Sequence, residues 1–383
     1  MPKFFGIGDR GLQYWQNFYE KTLWSYGSAD FDFSDNACSL LTRLLGHEGS
    51  EMQMGAIRAL RSLAYTFQHT EWRGAPIHKT FILKLTTLLT GDNDELFVEA
   101  VLTILQLKIV TFSLDFRTDR LECITMIEIR RLIHLLSYDK EWVAGRAALA
   151  IGKIVDGHYI LRDIDYQLIA SCGVRPLICL LSSSNLDVVR TATRTIGLIF
   201  SDEGHAILPV DKDIIPALVD CLARNLDCHA VLNVILQAIV RILESERGEE
   251  FDTGTMLIPA GGIPYVVRLL TLQAEASVLS TYDLHYVVSY VIDWSGISLD
   301  TFLNIDYARS LLRWIAKVPR AITIGEKYVR YPRNSRAVFR AAGAEQVLSD
   351  CCSNEGWSTK QRQIAAGALD LLRSEVENQT GHL

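Results

Sequence analysis

The sequence predicts an all-α protein, a helical solenoid of about eight repeats. Three observations predict it. Leucine pairs recur at Leu44-Leu45, Leu88-Leu89, Leu135-Leu136, Leu180-Leu181 and Leu269-Leu270, with Cys221-Leu222 between the last two. Their second members lie 44, 47, 45, 41 and 48 residues apart, the period of two- and three-helix repeats. A second register runs in phase, with Ala56, Ala100, Ala147 and Ala192 each six residues before the slots Ser62, Gln106, Lys153 and Leu198. No stretch sustains the period-two alternation of a half-buried strand.

Composition agrees. The chain has 383 residues, 49% hydrophobic and 22% charged, with a net charge of −7. That is too apolar and too mixed in charge for a disordered chain. Eight cysteines without a C-x-x-C pair are too sparse for a disulfide-built module and suit a reducing compartment. Most sit in apolar helical patterns, where a free cysteine packs as a small hydrophobe. Asp9 and Arg10 interrupt any leader-like run, and no uncharged apolar run reaches the ~18 residues of a membrane span. The expectation is a soluble cytoplasmic or nuclear protein. The acidic balance argues against indiscriminate binding to nucleic-acid backbones.

Taken in order, residues 1–33 fall outside the repeat and hold ten of the 35 aromatic residues. They read as an aromatic-rich cap on the open end of the solenoid, with docking to another protein or a membrane surface as the competing reading. The solenoid occupies 34–373, and 374–383 is a tail. Within the repeats, the breaks Gly46–Ser50, Gly91–Asp94 and Ser182–Asn185 precede Glu51, Glu95 and Asp187. Acids there suit the first turn of a helix, where the macrodipole favours negative charge. The third repeat departs, with Trp142 in that position and Glu141 beside it. Pro176, Pro216 and Pro264 precede their anchors by five or six residues and mark helix starts. A degraded repeat fits around Leu311-Leu312-Arg313-Trp314-Ile315.

Cys172-Gly173-Val174-Arg175-Pro176-Leu177-Ile178-Cys179-Leu180-Leu181, followed by Asp187-Val188-Val189-Arg190 and Ala192, resembles the armadillo repeat. Ala260-Gly261-Gly262-Ile263-Pro264 and Ala341-Ala342-Gly343-Ala344 repeat its glycine turn. The related HEAT repeat is the structural runner-up, because several units lack that turn. The resemblance implies a right-handed superhelix whose third helices line a concave face, and an adaptor or scaffold that binds a protein partner there. Nuclear-import adaptors of the family carry asparagines with tryptophans four residues earlier on that face. Here the asparagine slots hold Ser62, Gln106, Lys153, Leu198 and Arg241, and the tryptophan slots hold Arg58, Leu102, Leu149, Arg194 and Gln237. Import signals are therefore not the expected ligand.

The same slots hold Arg58, Lys153, Arg194 and Arg241, and Arg146 and Arg190, seven or eight residues earlier on their helices, should project on the same side to make a basic stripe. Arg58, Gln106, Arg146, Lys153, Arg190, Arg194 and Arg241 are the candidate partner-binding residues, with Glu99 as the opposing acid. They would suit an acidic or phosphorylated extended segment held by charge-assisted hydrogen bonds. Ordinary solvated helix charges are the competing reading.

Residues 316–340 read as a basic irregular insertion. Their net charge is +6, which leaves −13 for the rest of the chain. Lys317, Arg320, Lys327, Arg330, Arg333 and Arg336 interleave with Tyr328 and Tyr331. Such a pattern can bind nucleic acid or anionic lipid, and this is the alternative function.

No enzyme is expected, and no cofactor or metal. Gly6-Ile7-Gly8-Asp9-Arg10-Gly11 matches a dinucleotide fingerprint but lacks the preceding strand that gives it meaning. Asp252-Thr253-Gly254 lacks the second carboxylate of an aspartic-protease dyad. The nine histidines show no metal-ligand spacing.

Overall fold

The structure is a computed structural model that describes residues 35–67, 77–111, 124–156, 163–201, 211–245, 260–276, 283–284, 287–288, 305–330 and 333–380. The expected cap at 1–33 lies outside them. All regular structure among the described residues is helical. In order, the helices are α1 (Asp35–Leu45), α2 (Ser50–Phe67), α3 (Ile77–Leu89), α4 (Asp94–Thr111), α5 (Met126–Leu135) and α6 (Glu141–Asp156). There follow α7 (Asp163–Leu168), α8 (Val174–Leu180), α9 (Leu186–Ile199), α10 (Ile214–Arg224), α11 (His229–Ser245) and α12 (Gly262–Ala276). The last are α13 (Ile305–Lys317), α14 (Ile322–Arg330), α15 (Arg333–Ala341), α16 (Ala344–Ser353) and α17 (Thr359–Thr380).

The first four leucine pairs end their anchor helices, and the second member of every anchor is buried: Leu45, Leu89, Leu136, Leu181, Leu222 and Leu270. Two of the three polar breaks supply a side-chain N-cap. Asn93 Oδ1 accepts from the amides of Glu95 and Leu96, and Asn185 Oδ1 from that of Asp187, satisfying donors the helix itself leaves open. Thr125 and Glu128 form a capping box at α5. The predicted acids Glu51, Glu95 and Asp187 occupy their first turns, and in the departing third repeat Glu141 does so.

Helices α2, α4, α6, α9 and α11 pack side by side in one continuous layer, each also packing on its own anchor helix. We call these five the ladder helices. Their registered alanines Ala56, Ala100, Ala147 and Ala192 are fully buried, as expected of a small residue where helices meet. Glycines tighten the middle of the layer. A Cβ on Gly145 would lie 2.8 Å from Val188 Cγ2, one on Gly152 2.6 Å from Thr195 Oγ1, and one on Gly197 3.1 Å from Ala238 Cα. Across the same seam Thr195 Oγ1 donates to the Ala148 carbonyl at 2.9 Å.

Arginines staple one repeat to the preceding one. Arg131 of α5 donates to the Leu89 and Gly91 carbonyls, pairs with Asp94, and lies 4.2 Å from the Phe97 ring centroid. Arg224 of α10 likewise donates to the Leu181 carbonyl at 2.9 Å. Each takes up a carbonyl that the end of an anchor helix leaves without an intrahelical donor.

Three expectations are corrected. Pro176 does not start a helix, because helical turns run without interruption from Asp163 to Leu180. A five-residue π turn, Ile169–Gly173, precedes it. The wider turn accommodates a ring that would clash with the carbonyl four residues back and supplies no amide donor. Gly173 accordingly keeps helical dihedrals, whereas Gly261 and Gly343 are left-handed at φ 71° and 94°. Residues 316–340 are not irregular: they end α13, form α14 and supply most of α15. Ile322, Ile324, Val329 and Phe339 are fully buried there. The density of charge had concealed a strongly amphipathic pattern. Among the cysteines, Cys221 and Cys351 are buried as packing hydrophobes, but Cys172 and Cys179 are exposed.

Candidate functional site

The ladder slots of neighbouring repeats meet. Lys153 of α6 extends its ammonium to Gln106 Oε1 of α4 at 3.1 Å. Gln106 is itself 8% exposed, so it fixes the ammonium from below. Arg61 and Arg194 face Lys153 from α2 and α9, and Asp156 is the acid that faces it. Burial, then Arg194 and Arg61 against the opposing pull of Asp156, hold the Lys153 ammonium below its ordinary proton affinity. The Arg241 stem runs over Gly197, where a Cβ would come within 3.5 Å of Arg241 Cδ. It carries the row on to α11.

Glu99 is buried, with 2% of its side chain exposed. One of its carboxylate oxygens pairs with Arg61, and the other with Arg146 at 2.9 Å. Glu99 is therefore no opposing acid on the open surface. It is the internal counter-ion of two arginines on the helices either side of it. Burial, with Arg146 and Arg58 adding to it and Glu99 opposing, lowers the proton affinity of Arg61. A guanidinium remains charged regardless. The result is a chain of cations along the ladder helices: Arg61 meets Arg58 and Arg146, and Lys153 meets Arg61 and Arg194.

Of the predicted residues, the structure thus gathers Arg58, Gln106, Arg146, Lys153 and Arg194, with Arg241 next in line. Arg190 stands apart, exposed and paired with Asp187 of its own helix at 2.8 Å. Arg61 was missed. It lies one residue before the ladder slot, and its partner Glu99 is 38 positions away. Only the repeat offset, which places Arg61 and Glu99 on consecutive ladder helices, could have pointed to it.

The basic stretch is differently employed. Arg330 pairs with Glu326 at 2.6 Å, Arg336 donates to the Val329 carbonyl at 2.6 Å, and Arg340 donates to the Leu372 carbonyl of α17. Lys317 is exposed at the end of α13. The side chains of Arg320, Lys327 and Arg333 lie outside the described ones. Among the described residues, no group of three or more metal-ligating side chains gathers. No described helix is long and apolar enough to cross a membrane.

No protein-family model and no curated protein matches the chain. Solved structures do. One, from work on a conserved phosphorylation switch controlling the interaction between cadherin and beta-catenin, is 12% identical with a TM-score of 0.60. The match covers 87% of this chain, which spans 60% of the length of that one. A designed armadillo repeat protein is 17% identical, with 82% of this chain and all of that one covered and a TM-score of 0.35. An engineered protein is 20% identical, with 76% and 96% covered and a TM-score of 0.35.

Proposed function

We propose that this armadillo-like α-solenoid is a non-enzymatic protein-interaction scaffold inside the cell, binding an extended acidic segment of a partner along its ladder-helix face. The observation that carries the reading is the chain of like charges along the ladder helices, in which Arg61 meets Arg58 and Arg146 and Lys153 meets Arg61 and Arg194. A fold does not gain stability by crowding like charges. A face that keeps them together is suited to an anion from outside. The spread of donors over α2, α6, α9 and α11 suits a ligand laid across successive repeats. In the structural neighbour the interaction under study is one between two proteins, which agrees in kind. The six described cysteines are free thiols, in keeping with a reducing compartment.

The test is fluorescence anisotropy with a labelled poly-glutamate peptide. Binding should weaken steeply with salt, and the variant carrying Arg58→Glu, Arg194→Glu and Arg241→Glu should lose it by at least about ten-fold. Undiminished binding by that variant would overturn the proposal. Nucleic-acid or lipid binding through 317–336 is the weaker reading, since Arg330 and Arg336 already have partners within the fold.

A further inference from the structure

The ladder face is not uniform. Glu99 occupies Arg61 and Arg146 on one side, whereas no acid pairs with Lys153 or Arg194 among the described residues. Lys153 has three N–H donors. One is given to Gln106, which holds the ammonium in place and leaves two donors open. Arg194 is exposed on the neighbouring helix, where the adjoining Thr195 packs against Gly152, the residue before Lys153. Their relative position is fixed by the backbone: α6 and α9 approach so closely at Gly145 and Gly152 that no Cβ fits at either.

We propose that Lys153 and Arg194, backed by Arg61, form a subsite for one phosphate monoester carried by the bound segment. This rests on the anionic-segment reading above and names the anion. Counting charge, Lys153 and Arg194 bring two positive charges. A carboxylate brings one negative charge, and a phosphate monoester nearly two at neutral pH. Counting acceptors, a carboxylate offers two oxygens in one plane. A phosphate offers three, spread over a cone, and here the donors arrive from separate helices. Gln106 adds selectivity of placement. Its carbonyl oxygen accepts from Lys153 and would repel an anion, so the phosphate must sit on the α9 side of the ammonium, toward Arg194.

The test uses the full chain and three labelled peptides of one uncharged sequence, with a central phosphoserine, glutamate or serine. The phosphoserine peptide should bind at least about ten-fold tighter than the glutamate peptide. Lys153→Met and Arg194→Gln should each abolish that preference, and Lys153→Arg should restore part of it. Equal affinity for phosphoserine and glutamate would overturn the subsite, as would a preference that survives Lys153→Met with native circular dichroism. Tighter binding to vesicles doped with a phosphatidylinositol phosphate than to the phosphoserine peptide would overturn the assignment to a peptide. The two readings fail separately. Poly-glutamate binding without a phosphoserine preference refutes the subsite alone, and phosphoserine binding without poly-glutamate binding refutes the extended acidic face alone.

Discussion

Lys153 Nζ donates to Gln106 Oε1 at 3.1 Å, joining the same slot of two successive repeats across 47 residues of sequence. The bond steadies a charge that its surroundings disfavour, since burial and Arg194 lower the proton affinity of the ammonium. Lys153 is therefore a cost to the empty protein. Lys153→Met should raise the melting temperature at neutral pH, by about 1–3 °C, while weakening anion binding.

The pH dependence of this effect has a definite sign. The folded-state pKa of Lys153 lies below the unfolded value of 10.5. Between the two, the unfolded chain holds more protons, so stability rises with pH through that window. The advantage of Lys153→Met, measured by thermal melts in low salt, should accordingly shrink as pH approaches 10.5.

Glu99 is the opposite case, a charge whose removal is expensive. Glu99→Ala would leave Arg61 and Arg146 partly buried and facing each other without their counter-ion. Breaking a buried pair from one side costs about 3–5 kcal/mol. Hydrogen exchange should locate the loss in α2, α4 and α6 rather than in α16 and α17.

Arg131 tests the staples. Arg131→Ala removes donors to two carbonyls, the ion pair with Asp94 and the contact with Phe97. A loss of about 2–3 kcal/mol is expected, read as faster amide exchange in α3 and α4.

Gly152→Ala tests the seam. The new methyl would meet Thr195 Oγ1, displacing the hydroxyl that bonds the Ala148 carbonyl. The expected cost is about 1–3 kcal/mol. Gly367→Ala, where nothing lies within 4 Å of the added carbon, should be neutral or slightly stabilising.

Much of this architecture was legible because it repeats. The leucine pairs and the alanine register announce buried positions through period alone, and Leu45, Leu89, Leu136 and Leu181 are buried as that period requires. What does not repeat was harder to read. The Arg61–Glu99 pair joins unlike positions of two repeats, so the slot register alone does not reveal it, and only the repeat offset hints at it. The π turn before Pro176 is a local accommodation that a proline normally conceals by suggesting a helix start. In 316–340 the charged residues outnumber the few buried ones, Ile322, Ile324, Val329 and Phe339, that define the helices. The basic stripe was visible as residue types. Its division by Glu99 into a neutralised part and an open part depends on side-chain geometry.

The glycine seam also bears on how the chain reaches this state. A solenoid has no single centre into which to collapse, and its units stabilise only their neighbours. The helices α6, α9 and α11 come closest together, at Gly145, Gly152 and Gly197, and they are joined by short-range connections relative to the length of the chain. This block is where native structure should nucleate, with the remaining repeats added outward in both directions. Core substitutions at Ile151 and Ile196 should then slow folding, while those at Leu348 and Leu372 should chiefly speed unfolding. The face proposed to bind a partner would be the first part of the molecule to exist.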